Sequence, residues 1–538
     1  MEITRVPFSH LPMLAKMDKV YAAQESILRK FYQYPVDIQS FKQVIGDKSN
    51  DFTHREILVA TLKNQYATII AGAARENAIT HIEKLLSAKT FTVTTAHQPS
   101  LFTGPLYFIY KICSTINLAK NLKEHYPDYD FLPVFVIGGE DHDFEEVNNI
   151  NIFNKKITWN KPDYAKGAVG MMKTDSVRSA LDELKAVLGE SEAAKRIFDV
   201  IEKSYSSFDL YQEATQSLLH ALFDKFGLVV LNMNDAALKR LFIPIMKQEI
   251  LEQPSKALVE KTQSELEALG YKSQAFAREI NLFYLTENGR DRIVFDNNTY
   301  TTITTDNNMS KIWTKEEILN ELESTPQYFS PNVVLRPLFQ EVVLPNLAYI
   351  GGGGELAYWL ERKTQFEYFK VNFPMLVRRN SVLWLDKGSR DKMGKLDIQL
   401  LDLVQDTDIL IKQYLSRVVE ASMSMEAEKK EIEATFAKIL NKALSIDPTL
   451  EKSVLSEKTK HLQGIDIIEA KLLKAEKHKH ETSINQIKAL AQKLFPGGGL
   501  QERVDNFLPY YIKQGDDFFT ILLDNLNPLE QGLIVISE

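Results

Sequence analysis

Cysteine is nearly absent from this chain of 538 residues: there is one, Cys113. That excludes an internal disulfide framework and any multi-cysteine zinc site, and it fits a reducing compartment. Long apolar runs are missing too. No segment approaches the ~20 consecutive apolar residues of a membrane helix, and the opening MEITRVPFSHLPML lacks the unbroken apolar core of a signal peptide. The expectation is a cytoplasmic protein without a membrane partner. Basic charge is not in excess: Lys and Arg number 64 against 72 Asp and Glu, a net charge of −8, which argues against a nucleic-acid partner. What is present is ordinary globular material, 44% hydrophobic and 25% charged, in a chain too long for one compact core.

Local patterning predicts an α/β protein with a parallel sheet. Residues 1–90 read as a helical lead-in, with REILVATLKNQYATII and its continuation keeping apolar positions at helical spacing. From 91 to 389 short apolar runs (FTVTTA, LPVFVIGG, GLVVLN, PMLVRR) alternate with helical patterns, the signature of a Rossmann-like core. An α+β insertion is expected at about 236–345, where INLFYLT and DRIVFD look like strands. Between 411 and 443, positions 411, 415, 418, 422, 425, 429, 432, 436, 439 and 443 step by four and three and form a coiled-coil seam, interrupted by Ser422 and Lys429. Asp447-Pro448 forces a turn, and a second helix is expected from about 449 to 494. The segment 390–495 therefore forms a long antiparallel hairpin with arms of ~45 residues, each ~70 Å at 1.5 Å per residue. Its outer stripe, including Ile467, Ile468, Leu472 and Leu473, needs a cover, which predicts a homodimer. Residues 496–538 are expected to be a tail packed on the core.

Three strand-to-helix turns carry the candidate chemistry. In TTAHQPSLFTGPLYFIYK, a strand ends near His97, and Gln98, Thr103 and Gly104 precede a helix whose N-terminus can receive an anion. In GGEDHDFEEVNN, Gly138 and Gly139 permit close approach of a backbone or a ligand, while Glu140, Asp141, His142 and Asp143 gather acid and base groups at one strand end. Asp141, His142 and His97 are the candidate catalytic residues, with Asp141 or His142 as proton acceptor; the acids would also suit a helix N-cap, and His97 a turn histidine bonded to the backbone. In YIGGGGELAYW, Gly351, Gly352, Gly353 and Gly354 precede Glu355 and form a tight turn, although they do not match a dinucleotide fingerprint. Arg336 and the pair Arg378-Arg379 suit a carboxylate or phosphate, or else structural ion pairs. Cys113 lies on an apolar helix and reads as a buried residue rather than a nucleophile. His478 and His480 in KAEKHKHE do not share a helix face, so no metal site is assigned; whether a metal takes part is left open.

The segments HQPSLFTGPLYFIYK, FVIGGEDHDFEEVN, LRPLFQEVVLPNLAYIGGGGELAYW and LQERVDNFLPYY together resemble the bacillithiol-biosynthesis cysteine-adding enzymes, the BshC-like cysteine ligases. The resemblance spans nearly the whole chain. It implies a core similar to class I aminoacyl-tRNA synthetases and nucleotidyltransferases, a coiled-coil hairpin serving dimerisation, and a ligase that joins cysteine to the amine of glucosaminyl-malate. It also implies that His97 to Gly104 occupies the turn that contacts ATP phosphates in such cores, with ATP, or ADP, as the nucleotide. Here Gln98 and Pro99 follow His97 in place of the usual His-Ile-Gly-His. DKMGKL at 391–396 is faintly similar to the second synthetase signature and reads equally as the start of the coiled coil. The alternative from another class is a non-catalytic coiled-coil adaptor whose Rossmann-like core senses a nucleotide.

Overall fold

The computed structural model describes residues 1–70, 73–160, 167–286, 289–304, 309–418 and 424–538. The chain divides into two compact units, a body of Glu2–Leu383 with Glu502–Ile536, and a second unit of Met1, Trp384–Gln501 and Ser537–Glu538.

The body begins with a short strand, Glu2–Val6, ahead of the helices expected for residues 1–90. Its central sheet is built from β1 (Thr90–His97), β2 (Asp130–Ile137) and β3 (Val229–Asn232), with helix α1 (Leu106–His125) crossing from β1 to β2. Helix α2 (Ala236–Glu252) leads into the inserted region, where β4 (Leu282–Thr286), β5 (Gly289–Asp296), β6 (Thr299–Ile303), β7 (Met309–Trp313) and β8 (Phe329–Pro331) form an antiparallel sheet in the order β7-β6-β5-β4-β8. Helix α3 (Arg336–Val343), strand β9 (Asn346–Gly351), helix α4 (Gly353–Leu360) and strand β10 (Met375–Arg378) return to the central sheet. Its order is β10-β9-β1-β2-β3, all parallel.

The strand sequences explain this sheet. Seven of the eight residues of β1 are buried, as in a strand covered on both faces, and its β-branched content suits the pleat. Alternate residues feed two cores: Phe91, Val93, Met375 and Val377 pack with Leu118 and Leu122, while Leu132, Val134, Val136 and Leu376 pack on the other face. Each such aliphatic or aromatic side chain contributes about 1.5–3 kcal/mol through burial. In the order β10-β9-β1-β2-β3, the chain winds from β1 towards β2 on one side and reaches β9 on the other. The crevice at the carboxyl ends of β1 and β9 is therefore a topological switch point, where open α/β sheets hold ligands.

The second unit is helical: α5 (Lys387–Leu396), α6 (Thr407–Val418), α7 (Glu426–Leu444), α8 (Glu451–Lys479) and α9 (Glu481–Leu494). The antiparallel hairpin of α7 and α8 follows from the cross-pairs Lys429–Asp466 (2.8 Å), Glu433–Lys458 (3.1 Å) and Phe436–His461, the first of which lies earliest on α7 and latest on α8. Asp447 accepts the Thr449 N–H at 2.9 Å and turns the chain at Pro448. The arms are shorter than the seam suggests. Asp397, in the left-handed region at φ 51°, ends α5, and a break at His480, which nothing in the structure explains, separates α8 from α9. Helix α8, with 29 residues, spans about 43 Å rather than ~70 Å. Ser422 of the seam lies outside the described residues, and Lys429 serves as a cross-helix ion-pair partner instead of a seam residue. DKMGKL falls inside α5. His478 is exposed beside Glu481, as a solvated stripe would be.

Candidate active site

The turn after β1 is held in an unusual conformation. Phe102, Thr103 and Gly104 have φ of 46°, 71° and 63°, a costly state for the two non-glycine residues. The C-terminal segment maintains it: Asn506 Nδ2 donates to the Phe102 and Gly104 carbonyls at 3.0 and 2.6 Å, and the Tyr205 hydroxyl accepts the Phe102 N–H at 3.2 Å. This corrects the expected anion cradle. The Leu106 N–H at the start of α1 donates to the Asp505 carbonyl at 2.7 Å, Gly104 N–H to Leu101, and Thr103 is buried, so the chain itself occupies the turn. Neither Thr103 nor Gly104 lines the nearby cavity.

That cavity, of about 530 Å³, opens at the carboxyl ends of β1, β2 and β9. It is lined by the predicted residues His97, Gln98, Gly138, Glu140, Asp141, Arg336, Gly352, Gly354 and Glu355. His142, Gly139, Asp143, Gly351 and Gly353 are near it in sequence but do not line it. Two of these glycines have backbone work instead: Gly139 accepts the Gly170 N–H at 2.8 Å, and a Cβ on Gly353 would overlap the Asp18 carboxylate that pairs with Arg378 at 2.6 Å. Arg378 is thus a structural ion-pair residue, whereas its neighbour Arg379 faces the cavity.

The cavity is lined by charges of both signs. Asp141 accepts Gln98 Nε2 at 2.6 Å and Arg290 Nη1 at 3.4 Å. Burial alone would raise this carboxyl, but hydrogen bonds from His142 and Gln98 and the Arg290 charge hold it well below the usual carboxylate range. It is a fixed anion and a poor proton acceptor. His142 stands half exposed 3.4 Å from it. Arg290, on β5, is oriented by Ser330 (3.2 Å) and the Pro331 carbonyl (3.0 Å) and lies over the Phe283 ring. Glu140 pairs with Lys239 of α2, a fully buried lysine that also donates to the Phe329 carbonyl at 2.6 Å. Glu146, 3.5 Å from Gln98 Nε2, is a further carboxylate of the lining.

Arg336, Arg379 and Arg503 also line the cavity. Arg379 is buried, donates through Nη2 to Glu502 at 2.8 Å and through Nη1 to the Asn380 carbonyl at 3.0 Å, and its Nε has no hydrogen-bond partner among the described residues. Such an orphaned buried donor at a cavity wall suits an anion. Glu355 joins the turns: it accepts the Gly352 N–H at 2.8 Å and Lys111 Nζ at 2.8 Å, while Lys111 also donates to the Ala96 carbonyl. Burial would raise Glu355, but Lys111 and the Gly352 N–H outweigh it and lower the carboxyl to about 2. Burial, then the Lys111 charge, pushes His97 down to about 4, so its imidazole is neutral.

Arg290, Glu146, Tyr107 and Arg503 were not singled out from sequence. Arg503 lies within LQERVDNFLPYY, a segment that contributed to the resemblance without a role of its own. Cys113 is buried in α1, where desolvation raises its thiol, and has no access to the cavity wall. Among the described residues no three His, Cys, Asp or Glu side chains gather around one metal position. No helix is long and apolar enough to cross a membrane among those residues.

Comparison with known proteins agrees with this architecture. Residues 1–380 match the family model described as the N-terminal Rossmann-like domain of bacillithiol biosynthesis BshC, and residues 382–538 match its C-terminal coiled-coil domain. A protein of Flavobacterium johnsoniae named "Putative cysteine ligase BshC" is 39% identical over 526 residues, covering 97% of each chain. The protein of the same name from Flavobacterium psychrophilum is 40% identical over 96% of each chain, and that from Bacillus cereus 29% identical over 93% of each. A solved arginyl-tRNA synthetase-type structure from Campylobacter jejuni aligns over 87% of this chain with 10% identity and a TM-score of 0.22, too slight a likeness to bear on the fold. A Rossmann-like body and a coiled-coil unit, matched along almost the entire chain, establish that this protein belongs to the bacillithiol biosynthesis BshC family.

Proposed function

We propose that the protein is a cytoplasmic cysteine ligase, forming the amide between the carboxyl of cysteine and the amine of glucosaminyl-malate in the cavity at the ends of β1, β2 and β9. The observation that carries this reading is the charged lining of that cavity, which brings Asp141, Glu140 and Glu146 together with Arg290, Arg336, Arg379 and Arg503. Cysteine brings an ammonium and a carboxylate, and the malate group brings two carboxylates; a cavity with fixed charges of both signs orients both molecules, and orientation is a large part of catalysis between two bound reactants. A volume of about 530 Å³ is of the size that small-molecule sites have.

Asp141, ionised and fixed by Gln98 and Arg290, receives the ammonium of cysteine. Arg336, Arg379 and Arg503 receive carboxylates or phosphates. Amide formation from a free carboxylate requires an activated acyl group. ATP is the proposed source of that activation, with the unpartnered Nε of Arg379 and the N–H of Gly354 as donors to its phosphates. Lys111 and Glu355 tie the β1 and β9 turns together at the site.

The hairpin is proposed to pair two chains into a homodimer through the stripe that contains Ile467, Ile468 and Leu472, which are 57%, 47% and 40% exposed. The test of the main reading is incubation of purified protein with cysteine, glucosaminyl-malate and ATP, with the thiol product followed by mass spectrometry and nucleotide release resolved into AMP and ADP. Product that depends on nucleotide supports the ligase. Nucleotide binding without turnover supports the adaptor reading instead.

A further inference from the structure

We propose that Tyr107 is the hydrogen-bond acceptor for the amine of the amino-sugar substrate, with its own proton committed to His97. This rests on the cavity being the ligase site.

The assignment follows from a chain of donors and acceptors. His97 Nδ1 stands 2.9 Å from the Gln98 carbonyl oxygen, which can only accept, so Nδ1 carries the imidazole proton. A neutral imidazole has one proton, so Nε2 is left with its lone pair. Nε2 stands 3.1 Å from the Tyr107 hydroxyl, which must therefore be the donor. Burial and the adjacent Lys111 charge keep this imidazole neutral at ordinary pH. The ring is locked against Phe108 and Tyr107, at centroid distances of 5.3 and 5.5 Å. Tyr107 itself lines the cavity, and with its only proton directed at His97 it presents lone pairs to whatever enters.

The surroundings decide which donor those lone pairs receive. Arg379 and Arg503 lie over the Tyr107 ring, 5.2 and 5.9 Å from its centroid, while Glu355 and Glu146 are the acidic groups that face it. Glu355 is paired with Lys111 and Arg379 with Glu502, while Arg503 and Glu146 oppose one another in sign, so the charges around Tyr107 are close to balanced. Such surroundings do not require a charged donor. An uncharged amine can donate an N–H there, and only the uncharged amine has the electron pair that attacks an acyl carbon. The same guanidiniums offer hydrogen bonds to carboxylates carried by the same molecule. Tyr107 is thus a substrate-positioning residue, and His97 acts through it by fixing the direction of its proton.

The test compares the affinities of glucosaminyl-malate and its analogue with hydrogen in place of the amine, measured by calorimetry on the full-length protein and on Tyr107→Phe. Wild-type protein should bind the amine compound about tenfold more tightly than the analogue, the worth of one well-placed hydrogen bond. Tyr107→Phe should bind both equally, at the analogue's affinity, with an unchanged melting temperature. His97→Leu should also lose the preference, and His97→Gln, which keeps an acceptor oxygen towards Tyr107, should restore most of it. A Tyr107→Phe protein that keeps the full amine preference overturns the proposal while leaving the cavity as the ligase site. Wild-type protein that binds neither compound, or whose affinity for both is unchanged by Arg336→Ala, overturns the site assignment and the proposal together.

Discussion

Strand Thr90–His97 and helix Glu451–Lys479 are both regular elements with a clear apolar pattern, yet seven of the strand's eight residues are buried while Leu455, Ile467, Ile468 and Leu472 of the helix are 40–57% exposed. Their charges differ in the same way. The body encloses Lys111–Glu355, Lys239–Glu140 and Arg379–Glu502, each with a cation shielded from water. The hairpin carries Lys429–Asp466 and Glu433–Lys458 near its surface. Water screens the second set and not the first, so a similar pairing pattern has different consequences: in the body a charge without its partner is costly, and in the hairpin it is rehydrated.

The largest effect expected from this contrast comes from Glu502→Gln. Glu502 is fully buried, accepts from Ser381 and the Val382 N–H, and neutralises Arg379. Removing its charge strands a buried guanidinium and should destabilise the protein by about 3–5 kcal/mol in denaturant unfolding. A change below 1 kcal/mol would erase the proposed difference between body and hairpin.

Next in size is Asp141→Asn. Because Asp141 is held by Gln98 and Arg290 from two separate elements, the fold should survive while the site loses its fixed anion. Turnover should fall by about 10²-fold, of the order expected when one charged group that orients a reactant is removed. Full turnover in both Asp141→Asn and His142→Ala would remove both residues from the mechanism.

How much of this could be read from the sequence differs between the two regions for a physical reason. The parallel sheet was legible because strands covered on both faces are continuous β-branched runs, and TFTVTTAH and FLPVFVI are such runs. The site was legible where chemistry sits at strand ends in the local sequence: His97, Gln98, Glu140, Asp141 and Glu355 all line the cavity. It was illegible where residues arrive from far along the chain. Arg290 comes from the inserted sheet and Arg503 from the C-terminal return, and no local pattern announces that either reaches a turn near residue 100. The same return explains why the turn at Thr103 and Gly104 was misjudged: Asp505 and Asn506 occupy the N–H and carbonyl groups that a local reading offered to an anion. In the hairpin, heptad spacing gave the helices but not their ends, because spacing is silent about where a helix breaks, as at Asp397 and His480.

A third expected effect is on the pH dependence of the body. His97 is lowered by burial from 6.5 to about 4, so between those values the unfolded chain binds a proton that the folded one refuses, and stability falls as pH drops from 6.5 towards 4. Glu355 is lowered from 4.5 to about 2, and the stability it contributes above 4.5 is lost as pH falls towards 2. Melting temperature followed from pH 7 to pH 4 should decline in wild-type protein and flatten in His97→Gln. An equal slope in the variant would mean that other groups carry the acid sensitivity.

The smallest effect on chemistry should come from the hairpin. Glutamate at both Leu472 and Leu473 should convert a dimer to a monomer by light scattering, with turnover of the body kept. Wild-type protein that is monomeric at micromolar concentration would contradict the proposed pairing and leave the stripe to another partner.

The central claim, that the charged cavity joins cysteine to an amine, is tested most directly by one measurement: product formation from cysteine, glucosaminyl-malate and ATP in wild-type protein and in Arg336→Ala, monitored by mass spectrometry. The account predicts product in the wild type, nucleotide consumed in equal amount, and at least about a tenfold loss in the variant, as expected when a charged hydrogen bond to substrate is removed. No product from wild-type protein, or undiminished product from Arg336→Ala, would contradict it.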